Sequence, residues 1–356
     1  MLVTFVGDIS LNDDYIRLFK EGKHPFAEIE PVLADADFVV GNLECMGKGD
    51  QGENELKKPR LTTTLETLNY LKNIRLKVAS LAHNHVYDHL EDGFLKTINF
   101  LKANEIKYLG AGFTPEEAAQ PVILKQGDIS VGLLNYVTAD TNPNLPENAG
   151  IFLNVFDFDK CKNDILALKP QVNHVVLLLH WGGRVEGGLY PDWDQPRIGR
   201  ALIDVGADLI IGHHSHTIQP YEVYKGKHIF YSLGNFCFSD YWFDGQLNPM
   251  PERRMITALL MTTFRKEDYN FSIDYYINNR TNFNKVSHYQ QIMARHNWTF
   301  SVLFKFRIIW VLYYHYFKKV LPIFLFLNRN DISLGQKIIR LYKSLHKRGL
   351  KYLSNE

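Results

Sequence analysis

Five short apolar segments, each followed by side chains able to bind a metal ion, constrain the fold of this chain more than any other feature. The segments are LVTFV, DFVV, VASLA, HVVLLL and ADLII. Open α/β sheets have their functional sites at the carboxyl ends of their strands, so we expect these five segment ends to meet at one cleft. The metal-competent candidates are Asp8, Asn42, Glu44, His83, Asn84, His85, His180, His213, His214 and His216.

Apolar runs alternate with amphipathic stretches from residue 1 to about 220, a pattern typical of layered α/β architecture. Several runs are apolar throughout, as expected for strands covered by helices. The predicted strands are 2–6, 38–40, 78–81, 108–109, 130–135, 175–179 and 209–211. The predicted helices are 64–73, 92–104, 115–119 and 195–205. The later runs 229–232, 255–263 and 271–277 lack intervening helices, which predicts antiparallel pairing.

Composition excludes several classes of protein. Lys and Arg number 40 and Asp and Glu 39, so a net charge of +1 indicates no nucleic-acid partner. The 46% of hydrophobic residues is enough for a full core. Three widely spaced cysteines suit a reducing compartment, and the first apolar run is too short for a signal peptide, so we expect a cytoplasmic domain.

The candidate ligands restrict the metal. Carboxylate, amide and imidazole groups without thiolate suit manganese, iron or zinc better than copper(I) or a structural zinc site. A turn, a cap or a packed histidine explains any one of these residues alone, but three imidazoles in GHHSH are not needed for packing. Because the candidates outnumber the ligands of one ion, we expect two divalent ions about 3.5–4 Å apart.

Motifs along the chain resemble one family. In order they are GD, NLE, NHVYD, TINFLKANEIKYLGAG, HWG and GADLIIGHHSHTIQPYEVYKGKHIFYSLGNF. Over about residues 1–280 the sequence resembles the CapA family, which is linked to bacterial poly-γ-glutamate capsule and polysaccharide synthesis. The resemblance implies a layered α/β metallophosphoesterase-like fold, with mixed β-sheets flanked by helices.

The resemblance also implies ligands for two metal ions. Asp8 would bind the first ion, and Glu44 would occupy the bridging position. Asn84 and His180 would bind the second ion. His214 and His216 form the H-x-H pair, and each would bind one of the two ions.

Other positions take supporting roles in this resemblance. His85 would face the scissile group as the catalytic residue, and His213 would lie behind the ligands. The superfamily pattern has histidine where this chain has Ser10, and a bridging aspartate where it has Glu44. With these two departures, the sequence allows the first metal site to be either filled or empty. The residues at this edge that would support the ligands or bind substrate, without binding an ion themselves, are Ser10, Asn42, His83 and His213.

Further substrate-binding candidates lie on three loops. Lys57, Lys58 and Arg60 follow GNLE, where they would bind phosphate or an anionic polymer; a solvated basic loop is the equal alternative. Glu186 is the delayed acid after HWG. Asn235 in YSLGNF either turns the chain or contributes to the cleft.

The C-terminal part differs in composition. We predict a catalytic domain over 1–285 and a helical, basic, aromatic-rich extension over 286–356. Residues 299–356 contain eleven Lys or Arg and two acids, Asp331 and Glu356, a net charge of +9. Their longest charge-free stretch, 308–317, is too short to span a bilayer of about 30 Å. The extension either binds an anionic membrane surface peripherally or packs as a helical lobe.

Two functions remain open from the sequence. The first is a metal-dependent hydrolase of a phosphoester, acting on an anionic polymer or a phosphorylated substrate in capsule, exopolysaccharide or poly-γ-glutamate synthesis. The alternative is a non-catalytic accessory protein that binds the polymer or a synthase partner. A nucleotide-dependent ligase is disfavoured because no phosphate-binding loop of the G-x-x-x-x-G-K-[ST] type occurs.

Overall fold

The chain forms two compact units, one of residues 1–302 and one that begins at Leu303. The structure is a computed structural model, and it describes residues 1–243, 246–321 and 323–324. Two stacked β-sheets with helices on their outer faces make up the first unit. The predicted fold class, a layered α/β fold with mixed sheets, is confirmed.

The first sheet contains eight strands in the order β14-β13-β12-β1-β2-β3-β4, with β11 also paired to β1. Strands β1, β2, β3 and β4 are parallel, whereas β12, β13 and β14 are antiparallel to their neighbours. The strands are β1 (Leu2–Ile9), β2 (Phe38–Leu43), β3 (Leu76–Ser80), β4 (Lys107–Leu109), β11 (Asn235–Cys237), β12 (Ile256–Phe264), β13 (Tyr269–Asn278) and β14 (Phe283–Lys285).

The second sheet contains six strands in the order β9-β10-β8-β7-β6-β5. The four central strands are parallel, and each edge strand forms an antiparallel pair with its neighbour. They are β5 (Val122–Gln126), β6 (Ile129–Val137), β7 (His174–His180), β8 (Leu209–His213), β9 (Tyr221–Tyr224) and β10 (Lys227–Phe230). Short two-stranded pairs join Met46–Gly47 to Thr62–Thr63, Ala111–Gly112 to Phe152–Leu153, and Tyr241–Phe243 to Gln246–Asn248.

Helices cover the outer faces, and local sequence explains where two of them begin. The Thr114 hydroxyl accepts from the Glu117 backbone N–H (3.2 Å) at the start of the helix Pro115–Ala119, and Asp157 accepts from Lys160 N–H (2.9 Å) at the start of the helix Phe158–Leu168. The α-helices of this unit are α1 (Asp14–Lys20), α2 (Glu30–Ala34), α3 (Tyr70–Asn73), α4 (Leu90–Ala103), α5 (Pro115–Ala119), α6 (Phe158–Leu168), α7 (Gln195–Val205) and α8 (Tyr289–Leu303). The 3₁₀ turns are Thr67–Asn69, Ala139–Thr141, Lys169–Gln171, Gly183–Val185 and Glu252–Arg254.

Two hydrophobic layers stabilise this arrangement. One contains alternate residues of both sheets, such as Phe5 and Val78 from the first and Leu133 and Leu178 from the second, all nearly inaccessible to solvent. The other contains residues of β1 and β2 together with helical residues such as Phe94 of α4. Burial of each side chain of this size stabilises the folded state by about 1.5–3 kcal/mol. The two layers together therefore hold the sheets, and with them the ends of their strands, in one arrangement.

Two predicted elements differ from the structure. The predicted helix over 64–73 forms only from Thr67, because the Thr64 hydroxyl accepts a hydrogen bond from Thr67 N–H (3.2 Å) and thereby begins the turn. The run predicted at 229–232 is β10, which pairs parallel to β8 as well as antiparallel to β9. The antiparallel pairing predicted for 255–263 and 271–277 is confirmed by β12 and β13.

The second unit contains α9 (Arg307–His315), which continues into a π-helical turn over Tyr316–Val320. The part of the basic extension beyond residue 324 lies outside the described residues. Among the residues that the structure does describe, no helix is long and apolar enough to cross a membrane. The domain limit at 285 stays a prediction; beyond it, Tyr289 and Met293 of α8 belong to the core between the sheets.

Candidate metal centre

The first part of the site comes from the ends of three adjacent strands. The parallel register places Asp8 of β1 beside Asn42 of β2 on one side and Asn235 of β11 on the other. Gly7 permits this, because a Cβ there would lie 1.9 Å from the carbonyl oxygen of Gly234. A larger residue at position 7 would therefore separate β11 from β1 and move Asn235 away from the site.

The second sheet provides histidines to the same place. His180 ends β7 and lies beside His213, which ends β8. Two residues of the following turn have left-handed backbone conformations, His214 with φ 90° and His216 with φ 56°. Such conformations are costly for residues other than glycine and concentrate at functional sites. The turn directs two imidazoles into the space between the sheets, where their rings lie 5.9 Å apart.

Three atoms that carry lone pairs converge near the end of β3. Asn84 Oδ1 lies 2.9 Å from His180 Nε2 and 3.1 Å from Glu44 Oε1. His180 Nε2 lies 3.8 Å from Glu44 Oε1. Asn84 Oδ1 and Glu44 Oε1 are both acceptors and repel one another at this separation unless a cation lies between them, and ligands of one ion at bonds of about 2.0–2.2 Å have similar spacing. The reversed amide would satisfy the protein groups alone, with its oxygen accepting from Lys57 Nζ (3.1 Å).

Two ligand groups share Glu44. Ligand atoms of Asp8, Glu44 and His180 all lie within 4.8 Å of one another, and so do those of Glu44, His214 and His216. All five side chains are buried. A carboxylate common to two groups is the arrangement that a bridging ligand requires.

Asn42 connects the two halves of this cluster. Its side-chain Nδ2 donates to Asp8 Oδ1 (2.8 Å), and it lies 3.3 Å from His180 Nδ1. The Ser80 hydroxyl donates to Asn42 Oδ1 (3.2 Å), which sets the orientation of the amide. Asn42 therefore positions the proposed ligands rather than binding an ion itself. His213 has a similar supporting place, with Nδ1 3.2 Å from Asp8 Oδ1.

The electrostatics of these buried groups favour a cation. Burial raises the pKa of Glu44 well above its ordinary value, although the His216 imidazole opposes this. Burial also disfavours charge on His216, but Glu44 and Asp8 raise its pKa to about 9. Burial lowers the pKa of His214 to about 4, so its imidazole is neutral and has a free lone pair. A divalent ion would supply the positive charge that two buried carboxylates need.

A histidine–aspartate pair forms the wall beside these ligands. His85 Nδ1 lies 2.6 Å from Asp88 Oδ2, and that oxygen also accepts from the Leu61 backbone N–H (2.7 Å). The backbone N–H of His85 donates to His83 Nδ1 (3.1 Å). His83 therefore fixes the loop, and Asp88 fixes one side of the His85 ring, which leaves Nε2 of His85 for another partner.

A cavity of about 300 Å³ opens in front of this cluster. The predicted residues on its lining are Lys58, Asn84, His85, Glu186, His214 and His216. Asn235 Oδ1 lies behind them, 2.9 Å from His216 Nδ1. Lys57 of the predicted basic loop also lines the cavity, whereas the predicted ligands Asp8, Glu44 and His180 are not among its lining residues.

Two predicted residues have other contacts. The Ser10 hydroxyl donates to Asn12 Oδ1 (2.7 Å), a contact with no candidate ligand. Arg60 donates to the Glu53 carboxylate (2.6 Å) and to two backbone carbonyls of its own loop. Arg60 is not among the described residues that line the cavity. Its contacts stabilise the loop instead.

Sequence reasoning missed two charged residues of the site. Asp88 lies within NHVYD, three positions after His85 in one short turn, a spacing that could have indicated the pair. Arg254 also lines the cavity, and it comes from a 3₁₀ turn before β12, far from every motif. Nothing in the local sequence distinguishes Arg254 from its exposed neighbour Arg253.

With this geometry described, comparison with known proteins identifies the family. The family model described as bacterial capsule synthesis protein PGA_cap matches residues 2–240. The chain belongs to this family. The resemblance to CapA proteins that the motifs indicate is confirmed, and every proposed metal ligand lies within the matched residues.

Two curated members of this family come from Bacillus. The PGA biosynthesis protein CapA of Bacillus subtilis (strain 168) is 30% identical over 253 residues, which cover 67% of this chain and 63% of that protein. The capsule biosynthesis protein CapA of Bacillus anthracis is 29% identical over 256 residues, which cover 68% of this chain and 61% of that protein. The chain thus aligns with less than two thirds of the length of either relative.

Solved structures resemble the fold more distantly. The NAD nucleotidase of Haemophilus influenzae aligns with 83% of this chain and 55% of its own length, at 13% identity and a TM-score of 0.43. Similarity at this level shows neither an activity nor a substrate for this chain.

Proposed function

We propose that this protein is a metal-dependent phosphoester hydrolase that acts in the synthesis of bacterial capsule, exopolysaccharide or poly-γ-glutamate. Two buried groups of possible ligands that share Glu44, one with Asp8 and His180 and the other with His214 and His216, carry the proposal. Membership of the capsule synthesis family supports the biological setting. An anionic polymer or a phosphorylated substrate is the proposed ligand, and a polymer synthase the proposed partner.

Two divalent ions, manganese, iron or zinc, fit the ligand chemistry. When bound, such ions polarise phosphoryl oxygens and activate water. Asp8 would help to hold the first ion, Asn84 and His180 the second, and His214 and His216 one ion each, while Glu44 belongs to both ligand groups. The buried Asn42 amide keeps Asp8 oriented toward the cluster.

His85 is the proposed catalytic residue. Hydrolysis breaks the bond between phosphorus and the leaving oxygen, and that oxygen needs a proton or a hydrogen bond as negative charge develops on it. The Nε2 atom of His85 is available for this donation because Nδ1 is paired with Asp88. Donation from Nε2 requires the doubly protonated ring, whose Nδ1–H is bonded to Asp88, and the Asp88 carboxylate stabilises that positive charge.

A direct test measures hydrolysis by protein purified without chelator. We expect hydrolysis of p-nitrophenyl phosphate or bis-p-nitrophenyl phosphate with manganese, iron(II) or zinc, and loss of that hydrolysis after treatment with EDTA. Restoration by one of the ions shows that the metal, not damage by the chelator, limits the rate. No turnover of either ester with any of the three ions would contradict the hydrolase proposal.

A non-catalytic accessory role is the second candidate function. The Ser10 hydroxyl is bonded to Asn12, so position 10 provides no imidazole to the first ion. Elemental analysis separates the two functions, because hydrolysis by two ions requires both sites to be filled. Protein that retains no tightly bound ion, and hydrolyses neither ester, would favour binding of polymer or synthase.

We also propose that the C-terminal unit binds the surface of an anionic membrane. Apolar side chains spaced along one face of α9 and its π-turn are exposed: Ile308, Val311, Leu312, Tyr316 and Val320. The opposite face packs locally, since Trp310 Nε1 donates to the Phe304 carbonyl (2.7 Å). Residues 299–356 carry a net charge of +9, so a negatively charged lipid surface would attract this segment. The exposed apolar face of α9 would then enter the lipid interface.

Vesicle sedimentation tests this surface. We expect the full chain to sediment with vesicles that contain anionic phosphatidylserine, to be partly released by high salt, and not to bind neutral phosphatidylcholine. Ile308→Glu with Leu312→Glu should abolish binding, because two carboxylates would enter the interface. Leu166→Glu with Val223→Glu, at exposed apolar positions elsewhere, is the matched control. Equal binding to neutral vesicles, or binding unchanged by the α9 pair, would contradict the proposal.

A further inference from the structure

Arg254 has donor groups in the cavity that the protein itself does not use. Its side chain is only 16% exposed and lines the same cavity as His214 and His216. Its Nε is buried and has no hydrogen-bond partner among the described residues. Its nearest acid, Glu186, lies 3.5 Å from Nη1, an ion pair that is longer than an ordinary hydrogen bond. A buried guanidinium N–H without an acceptor is costly, and an acceptor from a bound ligand or a water molecule would satisfy it.

The position of Arg254 is tied to the metal centre through its backbone. Asn235 Nδ2 donates to the Arg254 carbonyl oxygen (3.0 Å). The same amide presents Oδ1 to His216 Nδ1 (2.9 Å). One side chain therefore links a proposed ligand of the metal to the backbone of Arg254, so the guanidinium has a set place relative to the ions.

A glycine makes room for the guanidinium. Gly187 has φ +79°, and a Cβ at that position would lie 2.1 Å from Arg254 Nη2. The backbone N–H of Gly187 donates to the Ser215 carbonyl (2.8 Å), so this loop lies against the H-x-H turn. The guanidinium thus lies against the loop after β7, and Arg254 lines the cavity.

We propose that Arg254 binds a second anionic group of the substrate, a carboxylate on the same molecule as the reacting phosphate. This inference deepens the proposed function and rests on it. Arginine presents a planar fork of N–H donors that matches the two oxygens of a carboxylate. Within the described chain, its guanidinium contacts Glu186 and Gly187 but none of the proposed metal ligands. It therefore binds a part of the substrate that lies away from the reacting phosphorus.

Charges around the cavity agree with a ligand that has more than one negative group. Lys57 and Lys58 line the same cavity as Arg254, and the Lys57 side chain is buried. Glu186 and Asp140 are the acids on this lining, so the three basic residues exceed them by one before any ion is bound. Divalent ions would add to that excess, and a substrate with a phosphate and a carboxylate would neutralise it.

Calorimetric binding to the manganese-loaded full chain tests this without relying on turnover. The probes are methylphosphonate, with one anionic group, and 3-phosphonopropionate, which adds a carboxylate. We expect Arg254→Gln to weaken 3-phosphonopropionate binding by about tenfold or more, and methylphosphonate binding by less than about twofold. Arg254→Lys should recover part of the affinity, since it keeps the charge but loses the fork. Arg253→Gln, the same change at the exposed neighbour, is the control.

The outcomes separate this inference from the proposed hydrolase activity. Equal weakening of both probes in Arg254→Gln would place the arginine on the phosphate and overturn the inference. Equal binding of the two probes by the unaltered protein, or no binding of either probe, would also overturn the inference. A propane-1,3-diphosphonate arm checks the chemistry: tighter Arg254-dependent binding than that of 3-phosphonopropionate would replace the carboxylate by a second phosphate. Arg254-dependent binding in a protein that hydrolyses no ester would support the inference while the hydrolase proposal fails.

Discussion

Replacing His214 or His216 by alanine should remove bound metal from this protein. Each imidazole belongs to the group that contains Glu44, and both are buried, so another side chain has no space to replace them. The metal content measured by elemental analysis should fall from about two ions per chain to one or none. Alanine has a Cβ, as histidine does, so the steric cost of the left-handed backbone at both positions is unchanged. The comparison therefore measures the loss of the imidazole alone.

Stability provides a second measurement of the same change. A ligand present at a hundred times its dissociation constant stabilises the folded state by about 2.7 kcal/mol. In a unit of this size that corresponds to a rise in Tm of about 4 °C on adding manganese, which the alanine variants should lose. His296→Ala is the control, because His296 is a half-buried histidine that packs against Tyr190 outside the cluster. Full metal content in both alanine variants would show that the site assignment is wrong.

Alanine at His85 should leave the metal content intact and lower turnover. In the proposed mechanism, its Nε2 donates to the oxygen on which charge develops, and loss of one such donor costs about 10²-fold or more in kcat. Asp88→Asn should lower turnover while the ring remains in place, because an amide cannot stabilise positive charge on the imidazole. Steady-state kinetics with p-nitrophenyl phosphate measures both effects.

The controls for His85 separate chemistry from binding. His288→Ala removes an exposed imidazole outside the cluster and should behave as the unaltered protein. If His85→Ala raises KM and leaves kcat unchanged, His85 binds substrate without assisting the reaction. Unchanged kcat and KM would remove His85 from the mechanism, and simultaneous loss of metal would make it a ligand instead.

Much of the site is predictable because parallel strands impose a common edge. Asp8, Asn42 and His180 each end an apolar run, and the register of the sheets places those ends together. The helix over 64–73 shows the limit of such patterns, since one hydroxyl contact at Thr64 moved the helix start. Periodicity reports which face is buried, but a single side-chain hydrogen bond decides where an element begins.

Charged residues at the cavity are less predictable. Lys57, Lys58 and Arg60 are close in sequence, yet the first two line the cavity while Arg60 bonds to Glu53 and to its own loop. Arg254 comes to the cavity from a turn without a motif. A loop places its side chains through its own contacts, and those contacts have no period that a sequence displays.

The sequence by itself determined the order of strands and helices, the family and the kinds of ligand, because these depend on local hydrophobic pattern and residue chemistry. Only the tertiary structure decided which groups meet. Packing of two sheets across one core brings Asp8 and Asn42 of the first against His180 and His213 of the second. It also leaves Arg254 with a buried Nε that has no acceptor in the described chain. Such contacts join residues far apart in sequence, and their geometry follows from the burial of whole layers rather than from any segment.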